Sequence, residues 1–316
     1  MQDQDEVEIA SCSVCGSTRH TLKYALPDWA YGTPGTFHLV TCDECGHLYQ
    51  SPRPTQAAIG RFYPAHYQPF GRAIEDVYRS PVMRWLKHRQ LRTRCLQVYR
   101  LRTQGALLDV GCATGLFLNE MRRYGQWRLA GIEIAPEASA YARERFHLDV
   151  FSGPIEDAPW PNGSFDVITL WDVLEHLPDP NGALRSLGRL LSKEGLLILS
   201  VPNLDSIDAR IFGRYWTGLD APRHFWVFRK RDIVRLCEAA GYRVIRSYCF
   251  YGRYTTFANS VVIWLRARLG NHAAVRHVLE AMIRFPLWRY LSRPYFALVD
   301  RLERGAILTI VAERWP

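Results

Sequence analysis

The sequence predicts an α/β fold: a parallel sheet covered by helices on both faces, preceded by a small metal-binding module. Three observations carry that expectation. From residue 105 onward, short apolar runs alternate with amphipathic helical runs. The first apolar run passes straight into a glycine-bearing turn. Ahead of both stand two Cys-x-x-Cys-Gly motifs, "CSVCG" at 12–16 and "CDECG" at 42–46.

Taken in order, the chain opens on "MQDQDEVEIA", which is acidic and polar and does not read as a secretory signal. In residues 1–52, Cys12, Cys15, Cys42 and Cys45 have the spacing of a tetrahedral zinc site. Two thiolates at i and i+3 grip one ion and a second pair closes the shell, so the zinc is expected to be structural. His20 and His47 lie close to the pairs and are set aside as incidental. Residues 53–104 read as an aromatic connector followed by a basic helix. The stretch "SPRPTQAAIGRFYPAHYQPFG" is rich in Pro and aromatics, and Val82, Trp85, Leu86, Cys95, Leu96 and Tyr99 stripe a helix over 80–102. Tyr63, His66 and Tyr67 of the connector are candidates to cover a substrate pocket.

Residues 105–316 are expected to form the main domain. Strands are expected at 106–110, 128–134, 165–170, 195–201, 242–250 and 306–314, and helices at 116–124, 136–146, 180–191 and 230–240. Asp179 or Asn181 can cap the third helix. The stretch 251–305 is too long for a plain loop and reads as a basic helical insertion. Cys95, Cys112, Cys237 and Cys249 fall in apolar patterns and are expected in the core.

The formal net charge of +9 is unevenly placed. Residues 79–102 carry seven Arg and one Lys with no acid, and 253–304 carry nine Arg against Glu280, Asp300 and Glu303. Such segments attract phosphorylated ligands, nucleic acid or an anionic membrane. No apolar run approaches the roughly 20 residues of a membrane span. The expectation is a cytoplasmic protein with reduced cysteines, peripheral at the inner membrane face if the basic helices meet lipid.

Ligands of parallel α/β sheets sit at the carboxyl ends of the strands. There "LLDVGCATGLFL" (107–118) places Gly111 and Gly115 in a tight turn, but it lacks the three-glycine spacing of a dinucleotide site. Glu133 ends the next strand, where a carboxylate can accept both hydroxyls of a ribose. Ribose recognition without diphosphate recognition fits S-adenosylmethionine.

On "LDVGCATG", "GIEIAP", "PWPNGSFDVITLWDVLEHLPDP" and "EGLLILSVPN", the chain resembles class I S-adenosylmethionine-dependent methyltransferases over about 105–250 and 306–314. The Cys pairs make it similar to the branch with an N-terminal zinc-binding module, which includes enzymes acting on sugars, polysaccharide or glycolipid precursors and secondary metabolites. The resemblance implies a Rossmann-like seven-stranded sheet with the last strand antiparallel. It implies a cofactor site at Asp109, Gly111, Cys112, Gly115, Glu133, Ile134, Ile155, Glu156, Leu170 and Trp171. The adenine loop departs from the common pattern, because Pro154-Ile155 stands where many relatives have Asp-Ala.

"WDVLEHLPDP" (171–180) places ionisable groups at a strand end. His176 is the first candidate for general base, His224 the second, and Glu175 can orient a ring or bind substrate. Methyltransferases of RNA 3′ ends carry a Glu-x-x-Glu-His and a later His on a divalent metal, so Asp172, Glu175, His176 and His224 form a second reading as a metal site. A capped, packed turn is the third. Trp216 and Trp226 are candidates to line the same pocket. The absence of an Asn/Asp-Pro-Pro-aromatic turn disfavours a nucleic-acid base as acceptor. The expected function is methylation of a hydroxyl or activated carbon on a small molecule, a sugar or a glycan- or lipid-linked precursor. An RNA ribose methyltransferase and a non-catalytic cofactor-binding scaffold are the alternatives.

Overall fold

A computed structural model describes residues 6–63, 73–77, 79–269 and 273–315. Seven strands form one sheet in the order Tyr242–Tyr248, Ile307–Arg314, Leu191–Pro202, Phe165–Trp171, Gln104–Val110, Gln126–Ile132, Asp149–Phe151. Ile307–Arg314 runs antiparallel to both its neighbours, and the other pairings are parallel. This is the sheet the resemblance implies.

Apolar residues on both strand faces explain the layering. Leu108, Ile168 and Leu197 point to one side and meet Leu184 and Leu187 of helix Pro180–Leu190 and Leu236 of helix Lys230–Ala239. Their neighbours Leu107, Val167 and Ile198 point to the other. There they meet Phe117 and Leu118 of helix Leu116–Met121, Ala142 and Phe146 of helix Pro136–Phe146, and Cys95 and Val98 of helix Pro81–Tyr99. Cys112, Cys237 and Cys249 are buried as well. Asp179 caps the 180–190 helix, its carboxylate accepting from the Gly182 amide at 2.9 Å.

Several bounds differ from expectation by a few residues, and three differences bear on the sheet and its helices. Asp149–Phe151 is a strand the periodicity does not reveal, because three residues are too few to show alternation. The helix expected over 116–124 stops at Met121. The strand expected over 195–201 starts at Leu191, directly from the preceding helix, and continues to Pro202.

The Cys-bearing module is a sheet of His20–Leu26, Phe37–Cys42 and Leu48–Gln50, and its fourth strand is Trp226–Val227. Boundary 52 thus divides the sequence but not this sheet. His47 seals the joint: its Nδ1 lies 3.2 Å from Asp232 Oδ2, with both side chains wholly buried. The insertion comprises helices Arg253–Arg268, Ala273–Arg284, Pro286–Leu291 and Arg293–Arg301.

Candidate active site

The carboxyl ends of the parallel strands bring most of the expected residues together. Asp109 is the penultimate residue of the Gln104–Val110 strand, and Gly111 and Gly115 follow with φ of 67° and 78°. A Cβ at 111 would lie 2.6 Å from Val173 Cγ2, and one at 115 would lie 2.6 Å from Leu148 Cδ1. Both the backbone angle and the space therefore require glycine. Glu133 fixes this turn: Oε2 accepts from the Ala113 amide and Oε1 from the Ala135 amide, each at 2.8 Å. A carboxylate offers about four lone-pair sites, so these bonds leave room for a ligand's hydroxyl. Burial raises the Glu133 pKa, and the backbone amides oppose the rise.

Asp109 is nearly inaccessible and accepts from the Thr169 hydroxyl at 2.6 Å. Burial pushes its pKa up to about 7, with Glu133 adding to the rise and Thr169 and Arg94 opposing it. Ile134 is 60% exposed although apolar, and Glu156 is exposed on the short turn Ile155–Asp157. Ile155, Leu170, Cys112 and Trp171 are buried in the two core layers. The side chains of Ile155 and Leu170 thus serve packing.

Beyond Trp171 the chain turns sharply, with Asp172 in the left-handed region at φ 59°. The turn sends its side chains to different places. Asp172 accepts from Arg94 at 2.8 Å and from the Tyr251 hydroxyl at 2.8 Å, and Ser200 joins the same group. Arg94 lies over the rings of Trp171 and Tyr251. Asp172 therefore falls outside the four-residue metal set expected from sequence, because a guanidinium and a phenol already hold its carboxylate.

The other three members do converge. Ligating atoms of Glu175, His176 and His224 all lie within 4.8 Å of one another. Glu175 is wholly buried, and neither carboxylate oxygen has a hydrogen-bond partner among the described residues. Burial, then the nearby Asp172, raises its pKa well above the usual carboxylate range. His176 Nδ1 sits 2.9 Å from the Arg223 carbonyl and 3.1 Å from the Tyr63 hydroxyl. His224 Nδ1 sits 2.9 Å from the Gly218 carbonyl. A carbonyl only accepts, so each Nδ1 carries a proton, and in a neutral ring the Nε2 lone pair is then available. The two rings meet edge to face with centroids 4.6 Å apart. Burial, then His224, pushes the His176 pKa down to about 3.

Arg223 frames the cluster. Its side chain is wholly buried, forked onto Asp28 at 2.7 and 3.0 Å and onto Asp220 at 2.7 and 3.0 Å. It thereby ties the module's 28–33 turn to the segment bearing His224. Trp216 and Trp226 are both buried, with Trp226 donating to the Leu177 carbonyl at 2.7 Å. Of the connector candidates, Tyr63 reaches His176, while His66 and Tyr67 lie outside the described residues. Arg94, Arg223 and Tyr251 carry no sequence signal, since the arginines stand among many and the tyrosine follows an ordinary strand.

The four module thiols also converge, within 4.8 Å of one another, with Cys12–Cys45 and Cys15–Cys42 Sγ separations of 3.5 Å. A tetrahedral ion with metal–sulfur bonds of about 2.3 Å needs sulfurs just under 4 Å apart, so the cage fits one. Gly16 and Gly46 adopt matching φ of 75° and 73°, and their amides donate to the carbonyls of Cys12 and Cys42. No cysteine is in a disulfide.

A seven-stranded sheet with one antiparallel strand, a glycine turn and a stapled carboxylate just past the second parallel strand define a class I S-adenosylmethionine-dependent methyltransferase fold. The methyltransferase domain family matches residues 83–247, just over half of the chain, and the protein belongs to that family. A ubiquinone biosynthesis O-methyltransferase of Xanthomonas oryzae pv. oryzae (strain PXO99A) is 40% identical over 111 residues, 33% of this chain and 46% of that protein. One of Xanthomonas campestris pv. campestris (strain B100) is 38% identical over 103 residues, 31% of this chain and 43% of that protein. The chain thus spans less than half the length of these curated relatives. Among solved structures, a geranyl diphosphate methyltransferase in complex with SAM is 11% identical with a TM-score of 0.48, covering 73% of this chain and 87% of that one. An S-adenosylmethionine-dependent methyltransferase from Mesorhizobium loti is 15% identical with a TM-score of 0.46, covering 69% and 96%.

Proposed function

We propose that this protein transfers a methyl group from S-adenosylmethionine to a hydroxyl oxygen of a small-molecule acceptor, a sugar or a glycan- or lipid-linked precursor. The observation that carries this reading is the placement of a ribose-competent carboxylate, Glu133, on the same sheet edge as the buried Glu175–His176–His224 group. The cofactor, when bound, supplies an electrophilic methyl on a sulfonium. The protein's part is to hold the acceptor in line and remove its proton. His176 is placed for proton removal, because its Nδ1 proton is committed to a carbonyl, its Nε2 has no partner among the described residues, and it is uncharged at neutral pH; its lowered pKa makes it a weaker base than an ordinary histidine. Tyr63 and Arg223 hold its ring in place. The name O-methyltransferase borne by the Xanthomonas relatives supports oxygen over carbon as the target. The Cys cage is read as a structural zinc site, since four thiolates leave no open position.

Incubation with methyl-labelled S-adenosylmethionine and extracts of hydroxylated metabolites and lipid-linked sugars tests the reading. A labelled product heavier by one CH2 is expected. Tight cofactor binding with no labelled product from any extract would instead make the chain a cofactor-binding scaffold.

The unpartnered Glu175 carboxylate favours a second reading of the same group. Glu175, His176 and His224 form a two-histidine, one-carboxylate donor set, which suits a divalent metal that would polarise the acceptor oxygen. Restoration of a chelator-inhibited activity by Mg²⁺ or Mn²⁺, with the Cys cage still loaded, would select it over the base reading.

A further inference from the structure

We propose that the helical insertion is a docking surface for an anionic lipid bilayer, lying on the membrane rather than crossing it. The insertion lies beyond the residues that match the methyltransferase family. Its second helix, Ala273–Arg284, carries one broad apolar face, and the protein covers only one edge of it. Leu279 and Ile283 form the half-buried stripe that faces the protein. Val275, Val278 and Met282, at spacings of three and four, adjoin it on the same face and are exposed. The exposed apolar surface continues through Phe285, 58% exposed, and through Leu287 and Trp288, 51% and 48% exposed, on helix Pro286–Leu291. A run of this size is uncommon on a surface that meets only water.

Charge selects the occupant. Between 273 and 299 the sequence holds Arg276, Arg284, Arg289 and Arg293 against a single acid, Glu280. Glu280 is mostly covered and ion-paired with Arg266 at 3.1 Å, while Arg289 and Arg293 are exposed beside the apolar residues. Apolar side chains edged by arginine complement an acyl boundary below anionic headgroups. No helix among the described residues is long and apolar enough to cross a membrane, which fits a surface contact. Buried Phe296 and Val299 root the insertion in the fold. Its first helix also touches the wall of the candidate site, since Ser260 Oγ accepts from the Thr217 amide at 3.1 Å in the segment leading to His224. The proposal stands independently of the catalytic reading.

The test is flotation of the full chain with vesicles of phosphatidylcholine, with and without phosphatidylglycerol. The protein is expected to float with the anionic vesicles at low salt and to be released as salt rises. Leu287→Ser/Trp288→Ser and Arg289→Glu/Arg293→Glu should each weaken binding roughly tenfold or more, with S-adenosylmethionine affinity unchanged as the check on folding. Failure of the parent protein to bind anionic vesicles at low salt would overturn the proposal. So would a dimer in sedimentation equilibrium that the same substitutions dissociate, which would assign the face to a second copy of the chain.

Discussion

Asp109 keeps a carboxyl group almost out of water with one hydroxyl donor, and its pKa near 7 has a measurable consequence. Between the ordinary value of 3.8 and about 7, the folded state binds more protons at this group than the unfolded state does. Its contribution therefore favours folding at low pH and falls as pH rises through that window. Asp109→Asn should flatten that fall, by up to a few kcal/mol across pH 4–7, as read from urea melts at a series of pH values. His176 gives a kinetic prediction. His176→Ala should leave cofactor affinity intact and lower turnover by roughly 10²–10⁴, measured by methyl-label incorporation; an unchanged rate would eliminate the base role. With its pKa near 3, His176 stays neutral well below pH 6, so the acidic limb of the rate profile should not fall near the ordinary histidine value.

At the scale of elements, the Cys cage and the candidate catalytic edge are mechanically one. Trp226–Val227 completes the module's sheet, and the amide of Phe225 donates to the Glu175 carbonyl at 2.9 Å. Disturbing the cage should therefore reach His224. One zinc per chain is expected by elemental analysis, and Cys42→Ser should lower the thermal midpoint and the activity together. Arg223 is the second link. Burial alone would raise Asp28, but the guanidinium and nearby amides outweigh it and bring the carboxyl to about 2. Arg223→Ala strands two carboxylates and should cost about 3–5 kcal/mol in denaturant unfolding, whereas Asp28→Asn with Arg223 still held by Asp220 should cost less.

Across the whole molecule, the sequence disclosed the layers more fully than the site. Long apolar runs alternating with helices revealed six strands, and the cysteine spacing revealed the cage, because both signals are local. The seventh strand, Asp149–Phe151, was too short to be seen. The site was legible where a residue's position along a strand determines its place: Asp109, the glycines and Glu133. It was illegible where long-range contacts decide. Nothing near Arg94, Tyr251 or Arg223 in the chain announces Asp172, Asp28 or Asp220 as partners, and the left-handed turn at Asp172 parts two carboxylates that sequence spacing had grouped. The proposed methyl transfer depends on the sheet edge beside Glu133 receiving the cofactor. Calorimetric titration of S-adenosylmethionine into the parent protein and a folded Glu133→Ala variant tests this most directly. Saturable one-to-one binding to the parent, weakened about tenfold or more in the variant, is the predicted result. Absence of binding to the parent, or equal affinity in the variant, would contradict it.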